Sequence, residues 1–134
     1  MVIVTGSRLV AVDAQAYWMS AAIPDDQFLL YAFDGASTDL GRALREIEGR
    51  AQTCAELQLR IIDDRFWTYP LWAHRRVGAD QFVVHDPTDR SWAGCLGAVT
   101  ALVEHQLDPR VMSWRLHVFP AIEGVPGARS IATV

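Results

Sequence analysis

The chain has 134 residues, of which 51% are apolar and 21% charged, and its formal net charge is −4. This length and composition predict one folded domain, residues 1–134, and exclude a disordered chain. All 12 basic residues are Arg and they are scattered, which argues against nucleic-acid binding and against a polybasic membrane anchor. Without Lys, Schiff-base chemistry and a phosphate-loop lysine are excluded.

The first predicted elements are a strand and a helix. The run QFLLYAF, residues 27–33, is short, apolar and aromatic and ends at the turn pair Asp34-Gly35, which predicts a buried strand. A helix follows, capped by Thr38 or Asp39 and running to about Arg50. Its apolar residues recur at the spacing of one helical face; they are Leu40, Ala43, Leu44 and Ile47.

The second half of the chain adds strands around one long helix. Short or alternating apolar runs predict strands at 57–61, 65–71, 82–85 and 113–119, a turn at 122–127 and a last strand at 130–134. A helix from Ser91 to the Asp108-Pro109 stop carries one apolar stripe, which includes Cys95. The order βαβββαββ predicts an α/β or α+β fold, with a mixed sheet and two main helices. The last strand is expected to leave a sheet edge that needs a partner.

The two cysteines, Cys54 and Cys95, lie far apart in apolar helical patterns, which is typical of buried reduced thiols in a cytosolic protein. The N-terminal apolar run is too short for a signal peptide, and no stretch reaches the roughly 18 apolar residues of a membrane span. The expected location is therefore cytoplasmic.

Four phrases, in this order and spacing, resemble the N-terminal part of the bacterial wax ester synthase/diacylglycerol acyltransferase family. They are RLVAVDAQAYWM (8–19), QFLLYAFDG (27–35), FVVHD (82–86) and LDPRVMSWRLHVFPAIEGVPG (107–127). Together they span residues 8–127, nearly the whole length of the chain. One departure is Met112-Ser113-Trp114, where the family has Pro-Leu-Trp, so a substrate contact made by Pro-Leu is not implied here.

The resemblance implies the N-terminal half of a chloramphenicol acetyltransferase-like fold. In that family two α/β halves enclose a tunnel that acyl-CoA and a hydrophobic alcohol enter from opposite sides, and an HHxxxDG motif supplies the base. That motif follows the strand that corresponds to residues 130–134, so the chain is expected to end just before it. The resemblance thus implies no catalytic residue within 1–134, no metal and no cofactor besides acyl-CoA as co-substrate.

His85 and Asp89, in HDPTDR, have the spacing of an HxxxD acyltransferase motif. In the resemblance His85 corresponds to a strand-end histidine upstream of the catalytic loop, and Arg90 stands where the motif has Gly. Pro87 and the two Asp residues predict a turn into the next helix, with Asp89 or Ser91 as its N-cap. The sequence therefore favours a turn histidine over a general base.

The remaining candidates are also interpreted as structural. His74 is predicted in a solvated loop, His105 near a helix end, and His117 on a sheet face opposite Trp114, with a carboxylate of a second half as an open alternative partner. No His/Cys/Asp cluster has zinc spacing. The pairs Glu46–Glu48 and Asp63-Asp64 are interpreted as solvated. Four tryptophans are candidates to line an acyl tunnel or a membrane interface; these are Trp18, Trp67, Trp72 and Trp114. Packing in the core is the alternative, and it is favoured for Trp92 and Trp114.

Two functions follow as hypotheses. The first is an acyl-CoA-dependent O-acyltransferase-type domain of wax ester or triacylglycerol synthesis, inactive alone and completed by a C-terminal half. The second is a non-catalytic lipid-binding or assembly module that pairs with itself or with a full-length relative. Both allow peripheral contact with a membrane or lipid droplet.

Overall fold

The computed structural model describes residues 6–35, 39–127 and 129–130. Three helices lie in this part of the chain: α1 (Ala11–Ser20), α2 (Leu40–Ala51) and α3 (Trp92–Val103). The strands are short: β1 (Gly6–Arg8), β2 (Phe33–Asp34), β3 (Leu59–Ile62), β4 (Leu71–His74), β5 (Phe82–Val84), β6 (Leu116–Val118) and β7 (Arg129–Ser130). The fold is of the α+β class.

The described strands form three small sheets instead of the one mixed sheet that was predicted. The largest is antiparallel, in the order β1-β4-β3, with Ile61 opposite Trp72. The other two are parallel pairs, β5 with β6 and β2 with β7. The prediction of two main helices missed α1, because the apolar residues of AVDAQAYWMS are spread around the helix instead of forming a single apolar stripe.

The helix α2 confirms the sequence prediction from Asp39 onward. Asp39 is the N-cap, and its carboxylate accepts a hydrogen bond of 2.8 Å from the backbone N–H of Arg42, which satisfies one of the free amides of the first turn. The alternative cap, Thr38, lies outside the described residues. Near the C-terminus, Arg50 pairs with Glu46 at 2.8 Å across one turn.

The helix α3 begins as predicted and ends earlier. Ser91 is its N-cap, and its hydroxyl accepts from the backbone N–H of Gly94 at 3.1 Å. Cys95 is its buried residue. The helix stops at Val103 and not at Asp108-Pro109. Asp108 lies in a separate turn, where its carboxylate accepts the backbone N–H of Arg110 at 2.9 Å.

The segment Gln27–Phe33 corrects a prediction: it is exposed and forms a strand only at Phe33–Asp34. Leu29 is 81% exposed and Tyr31 72%. Residues 27–31 make no backbone–backbone hydrogen bond with another described residue. Aromatic and aliphatic composition favours the strand conformation, but a strand also needs a neighbour, and no described strand lies beside this part of the segment.

The predicted strand at 65–71 is also wrong, since the strand β4 begins where it was expected to end. Residues 65–68 form a turn closed by the Thr68 N–H on the carbonyl of Arg65 at 3.0 Å. Pro70 is buried before β4, where a missing N–H costs no ladder bond. The run at 57–61 divides in the same way, into a 3-10 turn that ends at Leu57 and the strand β3.

The core cluster lies where α1 packs on the antiparallel sheet. It contains Leu9, Ala14 and Ile61, with Tyr17, Tyr69 and Trp72 packed around them. The hydroxyl of Tyr17 donates to Asp63 at 3.0 Å. Burial, and then this hydrogen bond, raise the pKa of Tyr17 to about 12. The sequence prediction that the pair Asp63-Asp64 is solvated is therefore wrong for Asp63, whose carboxylate is bonded to a tyrosine of the core.

Of the last predicted strand, Ser130 belongs to β7, and residues 131–134 lie outside the described residues.

Candidate functional site

The candidate site forms where the parallel strands β5 and β6 bring two histidines together. His85 follows β5, and its backbone N–H donates to the carbonyl of Val118 at 2.9 Å. His117 lies in β6. The His85 Nε2 atom is 2.9 Å from His117 Nδ1. The predicted strand-end position of His85 is confirmed, and the partner of His117 in this chain is a second histidine and not a carboxylate.

An aromatic stack holds the ring of His85 in place. Its ring centroid is 4.2 Å from that of Phe119, with the two planes 7° apart, and 5.2 Å from that of His117. Between the two histidines one nitrogen must donate and the other accept, so this contact requires at least one ring to be neutral. The Nε2 atom of His85 is engaged in that contact.

Charge and burial keep His117 neutral. Burial lowers the pKa of His117 below its usual value, and the neighbouring His85 and Arg115 lower it further. A second proton on the pair would place two positive rings in contact, beside the guanidinium of Arg115. The surroundings of His117 therefore favour its neutral form.

The lowered pKa of His117 predicts a loss of stability in mild acid. Because the unfolded chain binds this proton more tightly than the folded chain, stability is full above about pH 6.5 and falls as the pH drops through the folded-state pKa. We expect His117→Gln to reduce by at least half the change in melting temperature between pH 7.0 and 5.5, measured by calorimetry. An exposed control, His105→Gln, should keep the full change; an equal change in all three proteins would contradict the prediction.

The acidic residues of HDPTDR stabilise the turn and the start of α3. Asp86 pairs with Arg90 at 2.6 Å. The Asp89 carboxylate accepts the backbone N–H of Ser91 at 2.9 Å, and hydrogen bonds from Ser91 lower the pKa of Asp89. The predicted turn into a capped helix is confirmed, with Ser91 as the N-cap and Asp89 two residues before it.

Asp89 also explains the glycine in the first turn of α3. A Cβ atom on Gly94 would lie 2.5 Å from Asp89 Cγ and 2.7 Å from the Asp89 carbonyl oxygen. Such contacts are far inside the van der Waals distance, so only glycine lets the turn close this tightly.

The other histidines make local contacts. His74 is the exposed last residue of β4, where its Nε2 is 3.2 Å from the side-chain oxygen of Gln58; the prediction of a loop position was wrong. His105 follows α3, and its Nδ1 is 3.1 Å from the carbonyl of Ala101, near the helix end as predicted. Neither approaches the pair formed by His85 and His117.

Gln81 is a buried polar residue that the sequence pattern did not reveal. It is 2% exposed; its amide NH₂ donates to the carbonyl of Trp114 at 2.9 Å, and its side-chain oxygen accepts from Arg75 at 2.6 Å. Arg75 also pairs with Asp80 at 2.6 Å. These bonds join the end of β4 to the chain just before β6. Gln81, which makes them, directly precedes β5.

The five tryptophans divide between core and surface. Trp114 packs edge-on against Phe82 with ring centroids 5.7 Å apart, and its indole N–H donates to the carbonyl of Leu57 at 2.8 Å. Trp72 packs at the core cluster, and Trp92 is half-buried in α3. Trp18, edge-on to Tyr69, is half-exposed, and Trp67 is mostly exposed. Trp18 and Trp67 are thus the tryptophans available to a ligand.

An exposed apolar groove of about 330 Å³ runs along α1. Its apolar lining residues fall on one helical face and on the turn that follows; they are Val12, Ala16, Met19 and Ile23, with Gln15 and Asp25 as the polar residues. A neighbouring and more polar cavity of about 370 Å³ shares Ala16 and Asp25 with the groove and is also lined by Asp13, Asp26 and Gln106. Sequence analysis placed no ligand at either.

No protein-family model, no curated protein and no solved structure matches the chain. The likeness to the acyltransferase family is therefore carried by the four sequence phrases. Within the ranges 6–35, 39–127 and 129–130, no group of His, Cys, Asp and Glu has a metal-binding arrangement, and no helix is long and apolar enough to cross a membrane.

Both cysteines are free. Cys95 is buried, as predicted, and burial raises the pKa of its thiol. Cys54 is only half-buried and follows α2, where its thiol lies 3.2 Å from a carboxylate oxygen of Glu56.

Proposed function

We propose that the chain is an acyl-CoA-dependent O-acyltransferase-type domain, with a fold like the N-terminal half of the chloramphenicol acetyltransferase-like enzymes. In this proposal it supplies one wall of the path taken by an acyl chain and a hydrophobic alcohol. The observation that carries the proposal is the apolar groove along α1, because a solvent-exposed helix face normally carries polar residues.

The chemistry of the groove suits a hydrocarbon chain. Val12 is 69% exposed, Ile23 62% and Met19 51%, so a ligand could remove much apolar surface from water. Burial contributes about 0.8 kcal/mol per methylene group, and methionine adapts its shape to irregular apolar ligands. Asp25 adds negative charge at the groove, which disfavours the phosphates of coenzyme A there and favours the acyl chain or the alcohol.

The proposal assigns substrate contact to this chain and no proton transfer to His85. A general base needs a free nitrogen within about 3 Å of the acceptor hydroxyl. The Nε2 of His85 is already bonded to His117, and one face of the ring is covered by Phe119. Only the Nδ1 side of the ring is left, and the resemblance makes His85 a strand-end histidine upstream of the HHxxxDG motif that supplies the base. The chain alone should therefore release no coenzyme A from a long-chain acyl-CoA in the presence of a long-chain alcohol. Turnover that His85→Ala abolishes would contradict this assignment.

Binding of a lipid ligand tests the groove directly. We expect Val12→Glu to weaken the binding of palmitoyl-CoA at least tenfold, because it places a carboxylate in the path of the acyl chain. Titration calorimetry below the critical micelle concentration of palmitoyl-CoA measures the affinity. The matched control is Val103→Glu, the same change at a half-exposed position of α3 outside the groove. Equal affinities of the two variants would sink the proposal for the groove.

The second candidate is a non-catalytic lipid-binding or assembly module. The exposed apolar segment at 27–33 favours it, since this surface lies outside the groove. This candidate also predicts lipid affinity. It predicts no release of coenzyme A when the chain is mixed with an enzyme of the family from which the N-terminal half has been deleted. Restored turnover in that mixture would favour the acyltransferase domain.

A further inference from the structure

The chain exposes a larger accessible surface than a compact monomer of the same mass. Its accessible surface is 10139 Å², whereas a compact monomer of 14.9 kDa exposes about 7,000 Å². The excess is still about 1,500 Å² when the residues outside the described ranges are assigned the full exposure of an unfolded chain. A stable protein dimer buries about 800 Å² on each partner, so the excess is large enough for such an interface.

Part of this excess lies on the segment Gln27–Ala32. Its apolar side chains are exposed on both sides, from Phe28 at 43% to Leu29 at 81%. The backbone amides and carbonyls of 27–31 have no backbone partner among the described residues. The segment combines strand-favouring residues with no charge and no proline, which is the composition of segments that pair edge to edge.

The backbone amides and carbonyls of 27–31, which have no backbone partner among the described residues, decide which kind of occupant fits. A lipid surface would cover the side chains but leave the amides and carbonyls without partners, at a cost of several kcal/mol for each group. A β-strand satisfies both, because it offers backbone hydrogen bonds and apolar side chains at once. A second copy of the same segment is such a strand, and a two-fold axis makes the contact self-complementary.

A register centred on Leu29 pairs all five residues of 27–31, which have no backbone partner among the described residues, with one another, and the flanking charges disfavour registers shifted towards the C-terminal end of the segment. If two copies pair antiparallel about Leu29, that residue faces its own counterpart, Phe28 faces Leu30, and Asp26 faces Ala32. Moving the axis to lie between Leu29 and Leu30 places Asp25 opposite Asp34 twice, and like charges that face each other destabilise a sheet.

We propose that residues 27–32 form the interface of a homodimer, in which the segments of two copies pair as antiparallel strands centred on Leu29. The interface is separate from the α1 groove, so it does not depend on the proposed acyltransferase function. The second copy supplies the neighbouring strand that the segment QFLLYAF, whose composition favours the strand conformation, lacks among the described residues.

Mass and cross-linking test the interface. The wild-type chain at about 100 μM should have twice the 14.9 kDa chain mass by light scattering after size exclusion. Because alternate amides of a strand face the partner, either Leu29→Pro or Leu30→Pro removes an amide of the pairing edge, and that variant should raise the dissociation constant at least tenfold. The side chain of Leu29 is exposed, so the melting temperature of the variant monomer should stay within a few degrees of wild type. Phe66→Pro, at a fully exposed site in a turn, is the control and should remain dimeric.

The register is tested by oxidation with diamide in a Cys54→Ser, Cys95→Ala background. Leu29→Cys should give a disulfide-linked dimer in high yield, because paired residues on the axis lie within disulfide reach. Phe66→Cys should not. A monomeric wild-type chain, a mass other than that of a dimer, a dimer unaffected by both Leu29→Pro and Leu30→Pro, or equal cross-linking of the two cysteine variants would overturn the proposal.

Discussion

Replacing Gln81 with Ala should cost about 2–4 kcal/mol of unfolding free energy. The change removes a side chain that is 2% exposed and leaves the Trp114 carbonyl without its amide donor. A buried polar group that loses its partner costs about 1–3 kcal/mol, and the cavity left by the missing atoms adds to this. Urea denaturation of the wild type and the variant, followed by tryptophan fluorescence, measures the difference.

Two variants separate the causes of this loss. Gln81→Met keeps most of the volume but removes both hydrogen bonds, so it should cost about 1–3 kcal/mol. Gln15→Ala, in α1, removes only a long contact of 3.9 Å with the Met19 sulfur and should stay within about 0.5 kcal/mol of wild type. If Gln81→Ala behaved like Gln15→Ala, the buried amide would not join β4 to β6 as described.

Gly94→Ala is expected to destabilise the fold even though alanine is the better helix former. The new methyl group would lie 2.7 Å from the backbone oxygen of Asp89, so the turn before α3 would have to open. Overpacking of this kind costs about 1–3 kcal/mol, against a gain of about 1 kcal/mol in helix propensity. We expect a net loss of up to about 2 kcal/mol by thermal or urea unfolding.

The matched control for this change is Gly97→Ala, one turn further along the same helix. An added Cβ there meets nothing within 4 Å, so only the propensity gain remains and stability should rise by up to about 1 kcal/mol. The two substitutions are chemically identical, and the opposite signs of their effects are the result to look for. Two gains of equal size would show that Asp89 does not constrain the first turn of α3.

Sequence reasoning predicted the elements whose information is local. The helices α2 and α3 were found because an apolar stripe and a capping residue lie within one stretch of chain, as with Asp39 and Ser91. The strand β5 was found from a short apolar run. The strand prediction for 27–33 used composition, which reports conformational preference and not whether a neighbour is present. The prediction for 65–71 placed Pro70 at the end of a strand, whereas it stands just before one.

The site could be predicted only in part. The turn reading of HDPTDR depended on neighbours in the sequence and was confirmed. The contact between His85 and His117 depends on the parallel pairing of two strands far apart in the chain, and no local pattern encodes it. Gln81 was missed for the same reason, since its partners Arg75 and Trp114 lie on either side of β5.

The parallel pairing of β5 and β6 makes this half of the chain an all-or-none unit. Each strand has only three residues, and α3 and its flanking turns lie between them. Strands this short cannot remain paired once the intervening loop is free, because a few hydrogen bonds do not offset the entropy of closing it. If α3 detaches, the ladder, the two-imidazole contact and the stack on Phe119 must be lost in the same event. Amide protons from Phe82 to Val118 should therefore share one opening free energy in native-state hydrogen exchange.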